Sequence, residues 1–414
     1  MLYEPDRHET LTSTPWDESA VRARISAIVE DALDRFDPET LWPAHPKEDL
    51  PPAARGNLYA GAAGEIWALD HLAGRAVQVD LPSFAEALSA CRNLNDPWLE
   101  TAMVADNPLA AAGLLNGDTG IDMVLARLAG PGCDLGAIAS AVDADRDNPV
   151  LDLMWASPGT MLVSLWLHEW TGKQEWADRF RRDAALLWKR LEFVPQAGCH
   201  LWLQHLYGFD AYHLGGAHGF AGNAFPVLRG WYLLSPAERE GWAERLAGTL
   251  RQTAMIEDGC ANWPQSVVRH RPGRTALVVQ HCHGAAGIVN CFAGFADSRI
   301  DDLLLAAGEM TWRAGPLGKG PGLCHGTAGN GYAFLKLFRR TGDAQWLDRA
   351  RRFAMHAIEQ QQADADAFGQ NRYTLWTGDA GLAIYLQDCI DRSDRFPTLD
   401  YFFEDSDHAA APSA

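Results

Sequence analysis

Apolar residues along this chain gather into short runs that are hydrophobic nearly all round, and each run follows a Gly-x-x-Gly element. The element occurs as Gly61-Ala62-Ala63-Gly64, Gly117-Asp118-Thr119-Gly120, Gly219-Phe220-Ala221-Gly222 and Gly284-Ala285-Ala286-Gly287. It returns as Gly326-Thr327-Ala328-Gly329 and Gly378-Asp379-Ala380-Gly381, and a degenerate copy, Ala156-Ser157-Pro158-Gly159, fills the gap between the second and third. Behind these turns stand Ile66-Trp67-Ala68-Leu69, Leu162-Val163-Ser164-Leu165-Trp166-Leu167 and Tyr332-Ala333-Phe334-Leu335. Runs without a polar face predict helices buried on every side.

Amphipathic segments alternate with the buried ones. Thr171-Gly172 followed by Trp176-Ala177-Asp178-Arg179 is nearly copied by Thr341-Gly342 followed by Trp346-Leu347-Asp348-Arg349. A third segment opens with the capping box Ser235-Pro236-Ala237-Glu238, with proline at the first helical position. About seven buried/amphipathic pairs predict helical hairpins, none of which can cover its inner helix alone, so neighbours must close around it. The expected fold is all-α, an α/α toroid of about seven hairpins with Gly-x-x-Gly turns at one end. An open helical solenoid is the alternative that the same pattern allows. The best short strand candidate is Leu277-Val278-Val279.

This reading divides the chain into an N-terminal helical lead-in (1–50), with a helix around residues 20–29, and one toroidal domain (51–400). A tail (401–414), acidic and rich in Ala, Pro and Ser, is expected to be disordered.

Composition narrows the setting. At 47% hydrophobic and 21% charged residues, the chain can bury a large core. Its 54 acidic residues against 35 basic ones, a net charge of -19, argue against a nucleic-acid or anionic-membrane partner, which requires clustered cations. The longest apolar runs are too short to span a bilayer, and the first residues lack the apolar core of a signal peptide. Eight cysteines spread over 414 residues form no disulfide framework. A cytoplasmic location is expected.

Two of the eight cysteines stand apart, because each precedes a glycine turn together with histidine: His281-Cys282-His283-Gly284 and Leu323-Cys324-His325-Gly326. Two thiolates and an imidazole suit Zn²⁺, and three protein ligands leave a position for water or substrate. No zinc-finger spacing is present, so such a site must be assembled from separate repeats. Cys199, Cys260, Cys291 and Cys389 lack that register and read as structural. His218, at the equivalent turn Ala217-His218-Gly219, faces the same end of the proposed ring and is a candidate acid or base near neutral pH. Asp152, four residues before the degenerate turn, lies on the approach to it.

The stretches Gly216-Ala217-His218-Gly219-Phe220-Ala221-Gly222, His281-Cys282-His283-Gly284-Ala285-Ala286-Gly287 and Gly322-Leu323-Cys324-His325-Gly326-Thr327-Ala328-Gly329-Asn330 closely resemble the lanthionine synthetase C-like family. That family contains bacterial lanthipeptide cyclases and eukaryotic glutathione-binding relatives. The resemblance runs from about Asn57 to about Leu386. It implies that Cys282, Cys324 and His325 bind one catalytic zinc and that His218 is the catalytic histidine. It also implies that Asp152 matches a functional acidic residue, and that Lys319 and His283 lie on the substrate side, Lys319 resembling a lysine that helps hold glutathione.

Three departures from the family pattern matter. His281 replaces the usual tryptophan before the first ligand cysteine and is an alternative ligand. His283 follows the eukaryotic-type Cys-His-Gly motif, and Val278 stands where a bacterial cyclase carries an arginine. The motifs lean toward the eukaryotic-like branch.

The chemistry implied is addition of a zinc-activated thiol to the β-carbon of a dehydroalanine or dehydrobutyrine residue, with His218 protonating the α-carbon and Asp152 orienting it. A thiol in the same peptide gives a lanthionine ring; glutathione gives a thioether adduct. The partners are then a dehydrated peptide or protein, glutathione, and a separate dehydratase or kinase that prepares the substrate. Two competing readings remain. One is a non-catalytic zinc- and glutathione- or peptide-binding scaffold, with His281 or His283 closing a four-ligand site. The other is an α/α-toroid sugar enzyme using turn carboxylates such as Glu65, Asp118 and Asp379.

Overall fold

The computed structural model describes residues 1–48, 56–90, 109–206, 208–270, 273 and 275–403. Among these are fourteen α-helices. Seven inner helices begin directly behind the seven turns: Ala62–Leu72, Asp118–Ala129, Ser157–Thr171, Phe220–Arg229, Ala285–Phe292, Thr327–Thr341 and Asp379–Asp391. In each, the first residue of the motif is the N-cap. The last glycine of the motif lies against the carbonyl oxygen six residues before it: Leu58 for Gly64, Leu153 for Gly159, His281 for Gly287, Leu323 for Gly329. A Cβ there would overlap that oxygen, which accounts for glycine at this position without appeal to flexibility. At Gly219 and Gly284 the N-cap glycine has φ +130° and +97°, a region disfavoured for residues with a Cβ.

The inner helices pack side by side. Ala62–Leu72 meets Asp118–Ala129, Ser157–Thr171 meets Phe220–Arg229, and from there each helix meets the next; Asp379–Asp391 packs back against Ala62–Leu72. The outer helix Gly136–Asp145 touches both Asp118–Ala129 and Ser157–Thr171. The outer helices Gln174–Arg190, Asp301–Ala314 and Ala344–Phe368 each pack on the inner helix that precedes them. Among the described residues, no outer helix follows the last inner helix. Glu18–Asp34, from the other end of the chain, packs along it instead. The lead-in helix is therefore the outer member of the seventh hairpin, with Val21, Ile25, Ile28 and Val29 buried.

Three expectations need correction. Among the described residues three small antiparallel sheets accompany the helices: Glu192–Val194 with Cys199–Leu201; Gln204–Leu206 with Phe209–His213 and Ser266–Val267; and Met255–Glu257 with Cys260–Asn262. Their strands are too short for a periodic signal. Leu277-Val278-Val279 is not a strand: the Val278 carbonyl accepts from Asn262 Nδ2 at 3.2 Å and the Val279 carbonyl from Asn330 Nδ2 at 2.9 Å, so side-chain amides take the place of a ladder partner. The expected tail begins at 401, yet Tyr401, Phe402 and Phe403 are buried, and the Phe402 carbonyl accepts from Trp67 Nε1 at 2.9 Å. Residues 404–414, the rest of that tail, lie outside the described residues. No described helix is long and apolar enough to cross a membrane.

Candidate metal centre

The loops that lead into the inner helices are joined by main-chain hydrogen bonds at the end of the bundle where the glycine turns lie. Ala217 N–H donates to Cys282 O (3.4 Å), Cys282 N–H to Cys324 O (3.1 Å), Cys324 N–H to Trp376 O (2.9 Å), and Trp376 N–H to Tyr59 O (3.1 Å). This stitching sets the two Cys-His turns side by side, although they belong to different hairpins. One ligand atom from each of Cys282, Cys324 and His325 lies within 4.8 Å of the other two. The cysteines are buried and His325 is half-buried. Among the described residues this is the one cluster of three such side chains with that spacing. Two sulfurs and an imidazole nitrogen, converging out of solvent, fit the borderline-soft donor set that zinc takes.

The two thiols are hydrogen-bonded to each other. A hydrogen bond from Cys324, helped by His325 and by the nearby His283, holds the Cys282 thiol well below the ordinary range against the opposing effect of burial. Cys324, as the donor and deeply buried, is pushed well above it, although a hydrogen bond with Tyr59 and the positive charge of Lys319 act in the opposite sense. Gln280 Nε2 donates to Cys282 Sγ at 2.8 Å. Sulfur surrounded by donors and positive charge is sulfur ready to lose its proton to a cation.

His281 points elsewhere. Its ring is fully buried, 4.7 Å from Phe396 and 5.5 Å from Trp376, and Nδ1 accepts from Asn290 Nδ2 at 3.2 Å. It packs as an aromatic ring would, outside the three-residue cluster. His283 turns toward the other histidines: its centroid is 5.9 Å from His218 and 6.0 Å from His213.

His218 and Asp152 form a pair. His218 Nδ1 donates to Asp152 Oδ2 at 3.0 Å, so the imidazole turns Nε2 away from the carboxylate. The histidine keeps 14% of its side-chain surface, whereas the carboxylate has none. The other oxygen, Asp152 Oδ1, accepts from Met154 N–H at 3.0 Å. Lys319 is exposed on the loop before Gly320, close enough to Cys324 for its charge to act there.

The turn carboxylates do not form an open dyad. Glu65 is fully buried, its carboxyl pushed well above the usual range by burial and by Asp379 and Asp31 nearby. Asp379 is buried too, raised to about 6 while accepting from Arg372 N–H and Gln361 Nε2. A glycosidase needs its carboxylates facing substrate.

Four residues at the site carry no local signal in the sequence. Tyr59 and Gln280 reach the thiols; Gln204 and Asn223 lie behind Asp152. Position relative to a glycine turn is the one cue available, since Tyr59 stands two residues before Gly61 and Gln280 four before Gly284.

Residues 52–401 match the family model described as lanthionine synthetase C-like protein. The chain is 29% identical over 185 residues to glutathione S-transferase LANCL1 of Danio rerio, covering 43% of each protein. It is 30% identical over 261 residues to LanC-like protein GCL1 of Arabidopsis thaliana, covering 59% of this chain and 57% of that one. The aligned stretches thus span less than two thirds of the length of these curated relatives. Among solved structures, nisin cyclase superposes with a TM-score of 0.53 at 12% identity, covering 93% of this chain and 97% of its own, a likeness of fold. With its seven glycine turns, its paired Cys-His motifs and a family match across most of its length, this chain belongs to the lanthionine synthetase C-like family.

Proposed function

We propose that this protein is a zinc-dependent carbon–sulfur bond-forming enzyme, which adds a thiol to dehydroalanine or dehydrobutyrine residues on a closed α/α toroid spanning roughly residues 51–400. The observation that carries the reading is the convergence of Cys282, Cys324 and His325 beside a histidine that is itself held by a buried carboxylate. Packing of Asp379–Asp391 against Ala62–Leu72 supports closure of the ring.

Cys282, Cys324 and His325 would hold the metal, and zinc there would supply Lewis acidity that favours the thiolate form of a thiol at neutral pH. The residues of the chain do the rest. Asp152 fixes Nδ1 of His218 as the protonated nitrogen, leaving Nε2 to take the thiol proton and return it to the α-carbon. The balance is closed: the S–H bond breaks, a bond forms between sulfur and the β-carbon, and the α-carbon gains the proton. Lys319 and His283 flank the place where the thiol substrate binds. Lys319 offers a positive charge to a carboxylate, as glutathione carries, and this favours a peptide thiol such as glutathione as the donor.

The electrophile is a dehydrated peptide or protein, prepared by a separate dehydratase or kinase, and the reaction takes place in the cytoplasm. The test is purified protein with one zinc per chain, incubated with glutathione and a dehydrobutyrine peptide and read by mass. An adduct that depends on zinc and on His218 supports the proposal. Bound zinc with neither adduct nor ring formation returns the chain to a binding scaffold.

A further inference from the structure

Behind the Asp152–His218 pair lies an arrangement that the thiol-addition reading does not use. Leu151, directly before Asp152, has φ +52°, the left-handed region that a side chain with a Cβ disfavours. Its carbonyl oxygen accepts from two buried side-chain amides, Gln204 Nε2 at 2.8 Å and Asn223 Nδ2 at 2.9 Å. Gln204 Nε2 also lies 3.3 Å from Asp152 Oδ2, the oxygen that receives His218 Nδ1. The amides come from two different elements. Gln204 is on the strand Gln204–Leu206, and Asn223 is in the first turn of the inner helix Phe220–Arg229, which starts just after His218.

Among the described residues no donor reaches Gln204 Oε1 or Asn223 Oδ1, and both oxygens are buried. A flipped amide would set oxygen against the Leu151 oxygen, so the nitrogen assignment follows from the geometry. Two buried amides converging on one carbonyl cost desolvation that apolar side chains filling the same space would not, so the grip on that oxygen is what they supply.

We propose that Gln204 and Asn223 are positioning residues: by clamping the carbonyl of Leu151 in its strained conformation they aim the Asp152 carboxylate at Nδ1 of His218. The inference rests on the thiol-addition reading for its catalytic consequence. Loss of either amide lets Leu151 relax toward an ordinary backbone conformation and swings the carboxylate away. His218 then loses its fixed tautomer.

The test uses the zinc-loaded, full-length protein with Gln204→Met and Asn223→Leu, near-isosteric changes without an amide, and two measurements. In ¹⁵N NMR of the imidazole, wild-type His218 is expected as the Nδ1–H tautomer and each variant as a mixture. In turnover, kcat is expected to fall about tenfold or more, with KM and zinc content unchanged. In an Asp152→Asn background Gln204→Met should add less than about a twofold further loss, because its route to catalysis is gone. An unchanged His218 tautomer in both variants, or a kcat loss that multiplies fully with Asp152→Asn, overturns the clamp. Should one variant fail to fold, the other reads the same oxygen. If the wild type turns over no thiol substrate, the functional reading fails while the tautomer measurement still decides the clamp.

Discussion

The carbonyl oxygen of Leu323 occupies the place where a side chain on Gly329 would begin. That contact folds the loop bearing Cys324 and His325 back over the first turn of the helix Thr327–Thr341, and its equivalents recur at the other six turns. The glycine is thus part of the metal centre without touching it. Gly329→Ala is expected to cost ~1–3 kcal/mol, as forced overpacking does. It should also lower zinc affinity, because the loop must shift. Gly248→Ala is the control: the position is exposed in the outer helix Pro236–Thr253 with nothing near its Cβ site, and about 0.5–1 kcal/mol of added stability is expected. Urea unfolding of the two variants checks both signs.

Metal binding separates the cysteines from the histidine that precedes them. Cys282→Ala and Cys324→Ala should each reduce zinc from about one per chain to a small fraction in purified protein, with helical content retained. His281→Phe should keep its zinc, since the ring lies between Phe396 and Trp376 and outside the ligand cluster. Loss of zinc in His281→Phe, by elemental analysis, would show His281 to be a ligand after all.

Turnover separates the metal from the proton carrier. His218→Ala should retain zinc and lose about 10²–10⁴-fold in kcat, the range typical of general acid–base groups. Asp152→Asn should lose less than His218→Ala does, because the imidazole remains but is no longer held in one tautomer. Equal rates for His218→Ala and wild type would remove His218 from the chemistry.

Stability should depend on pH through a buried carboxyl that is not one of the candidate metal ligands. Asp145 is fully buried, and burial pushes its carboxyl up to about 7, although Thr160 Oγ1 and Asn148 Nδ2 both donate to it at 2.8 Å. The native state therefore keeps a proton that the unfolded chain has already lost above its ordinary value near 3.9. Its contribution to stability is greatest below that value and is lost as pH rises through about 7. Asp145→Asn removes the dependence, so the variant should gain on wild type between pH 5 and pH 8 by about 2–3 kcal/mol. Denaturant midpoints at the two pH values test this, and a difference that stays constant would place the proton elsewhere.

Most of the helical plan was legible along the chain, because the signals are local. A glycine next to an oncoming carbonyl, an apolar run without a polar face and a capping box are each properties of adjacent residues. The capping box at Ser235 forms as read, with Glu238 returning its carboxylate to the Ser235 N–H at 2.8 Å. What local pattern misses is illustrated by the short strands, which end before an alternation is established, and by Leu277-Val278-Val279, whose apolar composition suits a strand but whose carbonyls are taken by Asn262 and Asn330.

By itself, then, the sequence determined the seven turns, the helices that follow them and the types of side chain offered at the turn end of the fold, since each depends on neighbours along the chain. Only the tertiary structure decided which of those side chains meet. The bond from Cys282 N–H to Cys324 O aligns two neighbouring hairpins, so that sulfur from both reaches one site while His281, next to Cys282, faces the core. It also brought the first helix against the last and Gln204 behind Asp152. These are contacts between segments remote in sequence, selected by packing and by the need to pair buried polar groups, and neither requirement leaves a periodic trace in the chain.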